Sequence, residues 1–321
     1  CNLGVALAEV GRLKEARLAL EHALELKTPF PEATLAFGYV CELQGDLDRA
    51  IAEYEKAISQ KPGFAEALLY LGGAHYARGD YEAAEKDIKE SIKQDADYAE
   101  AHRFLGNVYH KIGRINAAEE QYRRAIAVDG SFLAAHYDLG CLLRSVGDYA
   151  EAEKEFRTCV VLSPGFTQAL NNLGLVLHFE DKHSQAIDAL RDAVNQRPNY
   201  AEAHNNLGKV YYHLGRLDEA ETEIREALRL KPGLPGAWHN IAKIMFRRGL
   251  VDDAIDGYKK SLEIDPKSSE VHHDLAMAYI GAQRFEDAAA SLERSLTYDP
   301  SFATGRRKLG ELYLQMGLFE R

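Results

Sequence analysis

Residues 201–234 read AEAHNNLGKVYYHLGRLDEAETEIREALRLKPGL, and residues 235–268 read PGAWHNIAKIMFRRGLVDDAIDGYKKSLEIDPKS. At a shift of 34 the two lines align without a gap, placing Asn206 on Asn240, Gly215 on Gly249, Ala220 on Ala254 and Pro232 on Pro266. Each line divides into two segments whose apolar residues recur at three and four spacing, as amphipathic helices require. Gly215 can supply a left-handed residue at a helix end. Pro232 cannot continue a helix, and it disfavours helix at the residue before it. The stretch therefore predicts one helix from Ala201 to about Leu214 and a second from about Leu217 to Leu230.

The same register runs outward in both directions. Glycines stand at Gly4, Gly38, Gly72, Gly106, Gly140, Gly174, Gly208 and Gly310, with Ala242 and Ala276 in the two remaining slots. Twelve residues on comes an alanine row from Ala16 through Ala50, Ala84 and onward to Ala288. Helix axes approach closely where side chains are short, so these rows mark helix crossings. Tyr54, Tyr122, Phe156 and Tyr258 are the bulky residues that fill the space beside them. A fixed period of this length signals a solenoid of stacked units. The expected architecture is an all-α, right-handed α-solenoid of helix-turn-helix units spanning 1–321. Its complete units are 31–64, 65–98, 99–132, 133–166, 167–200, 201–234, 235–268 and 269–302, with partial units at 1–30 and 303–321. Leu309, Leu312, Tyr313, Leu318 and Phe319 want a further helix to pack on, so the parent chain is expected to continue in both directions.

Composition narrows the function. With 39 Lys+Arg against 50 Asp+Glu the net charge is -11, which disfavours a nucleic-acid partner. No apolar run approaches the roughly 18–20 residues of a membrane span. Cys1, Cys41, Cys141 and Cys159 form no paired framework and read as small buried hydrophobes. Sparse cysteine and the lack of a targeting segment favour the cytoplasm. No phosphate loop, dinucleotide fingerprint, zinc-protease helix or nucleophile elbow is present, and the turns are too short to build an active site. No catalytic residue, cofactor or metal is expected. His102, His136, His204 and His272 share one slot of the unit, where ring packing is the simplest role.

The unit resembles the tetratricopeptide repeat (TPR). His204, Leu207, Gly208, Tyr211, Ala220, Ile224, Ala227 and Pro232 follow that family's pattern, and Trp238 takes the opening aromatic slot of the next unit. The resemblance covers the whole chain. Asp181 and Gln283 replace the turn glycine, so their turns are expected to be shaped differently.

In that family the first helices line a concave groove. Counting positions within each unit from one, the resemblance assigns positions two, five, six, nine, twelve and thirteen to its face, nearly an i, i+3, i+4 stripe. The N-terminal part carries Glu9, Glu32, Glu42, Glu66 and Glu100. Arg103, Asn107, Lys111 and Arg144 form a secondary groove in the middle. The expected peptide-binding set is Asn171, Asn172, Asn205, Asn206, Lys209, His239, Asn240, Lys243 and Arg247. Asn172, Asn206 and Asn240 repeat at position six, although Asn is about 0.5–0.7 kcal/mol worse than Ala inside a helix. Amides can hydrogen-bond an extended backbone of any sequence, and the adjacent cations favour acidic side chains; the alternative is that the amides are solvated or bond between neighbouring units. The family's five-residue carboxylate clamp fits poorly, because Asp138, Glu270 and Asp274 fall where it needs cations or amides. The Asn row is similar to that of the repeat arm of O-linked N-acetylglucosamine transferases. The resemblance implies a non-catalytic scaffold that holds an extended peptide segment of a partner protein. The alternatives are the substrate-recognition arm of a larger enzyme, such as an O-linked glycosyltransferase, and a self-assembling scaffold.

Overall fold

The structure, a computed structural model, describes residues 1–317, so Leu318 and Phe319 lie outside the described residues. The described residues are an all-α repeat solenoid of nineteen helices and contain no strand. Contacts group the chain into two compact units, Cys1–Leu162 and Ser163–Arg321.

The first unit holds α1 (Asn2–Glu9), α2 (Leu13–Leu26), α3 (Pro31–Leu43), α4 (Leu47–Gln60) and α5 (Ala65–Arg78). It continues with α6 (Tyr81–Gln94), α7 (Ala99–Lys111), α8 (Ile115–Val128), α9 (Leu133–Val146) and α10 (Tyr149–Leu162). The second unit holds α11 (Thr167–Phe179), α12 (His183–Gln196), α13 (Ala201–His213), α14 (Leu217–Leu230) and α15 (Pro235–Arg247). It ends with α16 (Val251–Ile264), α17 (Ser269–Gly281), α18 (Phe285–Tyr298) and α19 (Ala303–Gln315). Each odd-numbered helix from α1 to α17 packs on the even-numbered helix that follows it. Successive odd-numbered helices also touch from α1 to α9 and from α11 to α17, as α13 touches α15 and α15 touches α17.

The small residues set the spacing. The alanine row is completely buried at Ala16, Ala50, Ala84, Ala118, Ala152, Ala186, Ala220, Ala254 and Ala288. A Cβ on Gly106 would stand 2.6 Å from the Tyr122 ring, and one on Gly208 would stand 2.5 Å from Ile224. Where Ala242 replaces the glycine, the facing helix compensates with Gly257, whose added Cβ would lie 2.9 Å from that of Ala242. Tyr54, Tyr122, Phe156 and Tyr258 are fully buried, as their place beside the small rows predicts.

The turns correct one expectation. Asp181 and Gln283 both adopt φ 59°, in the same left-handed region as Gly215 at 75° and Gly249 at 80°. The closing bond is also the same: Lys182 N–H donates to the Leu177 carbonyl at 2.8 Å, as Arg216 N–H does to Tyr211 at 2.9 Å. These turns therefore have the common shape, and the side chain accepts a backbone conformation that glycine adopts freely.

The recurring histidines do more than pack as rings. His102, His136, His204 and His272 each direct Nε2 at the carbonyl six residues earlier, at 3.0–3.2 Å, and Trp238 donates its indole N–H to Pro232 at 2.9 Å in the same way. In three of them Nδ1 faces the second helix, at Gln121, Glu155 and Glu223. Among the described residues no disulfide joins the cysteines, and Cys41 and Cys159 are buried whereas Cys1 and Cys141 are half-buried. Among the described residues no helix is long and apolar enough to cross a membrane.

Candidate functional site

Stacking places position five of one first helix against position six of the next, 35 residues on. The pairing recurs with different chemistry along the chain. In the second unit, Asn206 on α13 donates an amide N–H to the Asn171 carbonyl on α11 at 2.8 Å. Asn240 on α15 donates to Asn205 on α13 at 2.9 Å. His239 on α15 meets Asp274 on α17 at 2.8 Å. The amide row is thus tied between neighbouring hairpins rather than standing wholly free.

These bonds occupy about a quarter of what the paired amides offer. A carboxamide has two N–H donors and an oxygen with two lone pairs. Among the described residues, the Asn206 oxygen and the Asn171 amide nitrogen make no other bond. The same holds for the Asn240 oxygen and the Asn205 nitrogen. Asn171 and Asn172 are buried, whereas Asn205, Asn206 and Asn240 are half-buried.

The cations lie beside this row on aromatic rings. Lys209 Nζ sits 5.2 Å from the centre of the Phe179 ring, and Lys243 Nζ sits 5.4 Å from that of Tyr212. Arg247 covers the other part of Tyr212 at 5.3 Å and donates to its backbone carbonyl at 3.0 Å. Such contacts fix a cation while leaving part of its hydrogen-bonding capacity unused. Burial holds the Lys209 amine below its ordinary range, and Lys243 adds to the effect against the opposing pull of Glu270. Burial also opposes ionisation of Asp274, but hydrogen bonds with His239 and His273 outweigh it and hold the carboxyl well below its usual range.

The secondary groove is more fully engaged. Arg103 donates to Asp138 at 2.9 Å, and Asn107 accepts the Tyr122 hydroxyl at 2.7 Å. Lys111 is exposed with His110 beside a depression of about 230 Å³ that Tyr76 and Asn107 also line. Arg144 is half-buried, and its Nε has no partner among the described residues. Nearer the N-terminus the face is acidic: burial, reinforced by Glu100, pushes the Glu66 carboxyl up.

Sequence reasoning missed one convergence. His178, His183 and His213 come together at the α11–α12 turn, with ring centres 4.8–5.2 Å apart. Burial pushes His178 down to about 4, helped by the Lys209 charge. The available signal was His183, which opens α12 where Leu47, Tyr81 and Leu217 open their helices.

Family models described as tetratricopeptide repeat match residues 1–65, 43–108, 76–139, 133–166, 179–235 and 245–300. The fold is similar to the crystal structure of the APC/C hetero-tetramer Cut9-Hcn1, with a TM-score of 0.65 and 17% identity over 93% of this chain and 59% of the other. It is also similar to a tetratricopeptide repeat protein from Parabacteroides merdae, with a TM-score of 0.61 and 15% identity over 77% of this chain and 98% of that one. No curated protein sequence matches the chain.

Proposed function

We propose, from the premise that the chain belongs to the tetratricopeptide repeat family, that it is a non-catalytic scaffold holding an extended, acidic segment of a partner protein. The segment lies along the odd-numbered helices α11 to α17 of the second unit. The observation that carries this reading is the coupling of two features on one face. Partly bonded amide pairs repeat from helix to helix, and Lys209, Lys243 and Arg247 rest on Phe179 and Tyr212 beside them.

The inter-repeat bonds change the mechanism without removing it. A row of loose amides would have to be ordered on binding, at a cost in side-chain entropy. The bonded pairs are already ordered, and each keeps donors and acceptors that the inter-repeat bond does not use. An extended backbone presents N–H and C=O groups that such amides can meet. The cations then select acidic side chains and steer their approach. The same row could serve the recognition arm of a larger glycosyltransferase, but the plain scaffold needs nothing beyond these residues.

The test is selection of displayed random peptides on the purified chain, followed by fluorescence anisotropy. Acidic, extended sequences are expected to be enriched, with affinity that falls as salt rises. Combined Lys209→Ala, Lys243→Ala and Arg247→Ala should weaken binding by about tenfold or more and flatten the salt dependence. Enriched peptides that bind this variant as tightly as the native chain would overturn the reading.

A further inference from the structure

The imidazole cluster is built differently from every other histidine position. His178 lies in the last turn of α11, His183 opens α12 and His213 closes α13. Asp181 occupies the turn between the first two. Its carboxylate oxygen is 3.6 Å from His183 Nε2, while His183 Nδ1 faces His178 Nδ1 at 3.4 Å. One ligand-type atom from each of Asp181, His183 and His213 falls within 4.8 Å of the other two.

Ring packing alone accounts for centres about 5 Å apart. It does not account for the choice of residues. His183 stands where Leu47, Tyr81, Ile115, Tyr149, Leu217 and Val251 open the corresponding helices. Asp181 stands at a left-handed position that glycine fills in most repeats. Two substitutions that each depart from the repeat's own preference therefore bring a carboxylate and an imidazole nitrogen face to face.

We infer that Asp181, His183 through Nε2, and His213 bind a divalent transition-metal ion of the zinc class. Two donors on a tetrahedral zinc at about 2.0–2.1 Å are separated by about 3.4 Å, close to the Asp181–His183 spacing already present. His178 is a positioning residue. A metal-bound histidine normally hydrogen-bonds through its other nitrogen, which fixes the ring, and the nitrogen facing His183 Nδ1 is that of His178. His178 is buried, His183 is half-buried, and Asp181 and His213 are exposed, so an ion has access from solvent to a supported set of donors. A fourth position remains for water. The other grouping of this kind, His239, Glu270 and Asp274, differs because both Asp274 oxygens already face histidines.

Zinc titrated into the untagged chain in a calorimeter should bind with a stoichiometry of one. Asp181→Gly restores the residue that most repeats carry at this turn, and His213→Ala changes an exposed side chain, so both variants should keep the native circular dichroism. Each should lose zinc affinity by about tenfold or more, and His178→Phe by about tenfold, as loss of a supporting partner typically does. His22→Ala, at an exposed histidine in the first unit, should bind as the native chain does. Cobalt should give the visible absorption of a tetrahedral complex in the native chain and lose it in Asp181→Gly. Absence of saturable uptake, or equal affinity in the native chain, Asp181→Gly and His213→Ala, overturns the assignment.

Discussion

Asp138 in the first unit and Asp274 in the second occupy the same position of the repeat. They are equally exposed, and each is paired to the residue 35 positions earlier, at 2.9 and 2.8 Å. Their carboxyls nevertheless shift in opposite directions. Burial raises Asp138, and the single bond from Arg103 offsets this only in part. Asp274 has hydrogen bonds from both His239 and His273, which overcome burial and lower it. In this pair the carboxylate with two converging donors overcomes burial, whereas the one with a single ion pair does not.

The contrast extends along the two faces. At positions five and six the first unit places Leu35, Tyr70, Leu69 and Phe104, whereas the second places amides and a histidine–carboxylate pair. Tyr70 packs its ring against Tyr39 and Tyr54 at 5.7 Å. Apart from the Arg103–Asp138 pair, the first-unit face is held by apolar contact, whereas the second-unit face is held by directional bonds.

The apolar side should show the largest response. Leu69 is buried, so Leu69→Ala should cost about 3 kcal/mol in urea unfolding followed by circular dichroism. A cost below about 1 kcal/mol would mean that this face is not held by packing.

Next comes Asp274→Ala, which removes the partner of two histidines and should cost about 2 kcal/mol at pH 7. Because the folded state depresses this carboxyl, its stabilisation is present above the ordinary carboxylate pKa of about 4 and fades as pH falls below it. The gap between native and variant should therefore close in acid, as a series of unfolding curves would register. A gap independent of pH would remove the electrostatic half of the contrast.

Asn206→Ala should cost about 1 kcal/mol, since it leaves the Asn171 oxygen without its donor. A double-mutant cycle with Asn171→Ala should return a coupling of about 0.5–1.5 kcal/mol. Zero coupling would show that the amides are solvated independently.

The smallest effect belongs to Asp138→Asn, expected within about 0.5 kcal/mol of zero at pH 7, because a carboxyl that the fold raises gives up stability when ionised. That penalty is relieved as pH falls through the raised folded value, so acid should favour the native chain over the variant. A loss as large as that of Asp274→Ala would erase the difference between the two carboxylates.

Much of this was legible beforehand. The shift of 34 placed α13 and α14 within one residue of their observed limits, and the Gly and Ala rows marked the buried crossings. Bonding of the amides between neighbouring units was an open alternative, but the partners were not legible, because a repeat of 34 aligns Asn206 with Asn240 by eye, whereas stacking joins Asn206 to Asn171 one position off that alignment. The shape of the Asp181 turn was missed for a related reason: the closing backbone bonds impose φ 59° on whichever residue stands there.

By itself, the sequence determined the period, the helix pairs and which positions are small, because steric exclusion at a helix crossing acts on each residue in turn. Only the tertiary structure decided which polar side chains meet. Those meetings depend on the offset between stacked helices and on rotamers, which bring Asn171 to Asn206, give Asp274 two donors, and gather His178, His183 and His213 from three helices into one cluster.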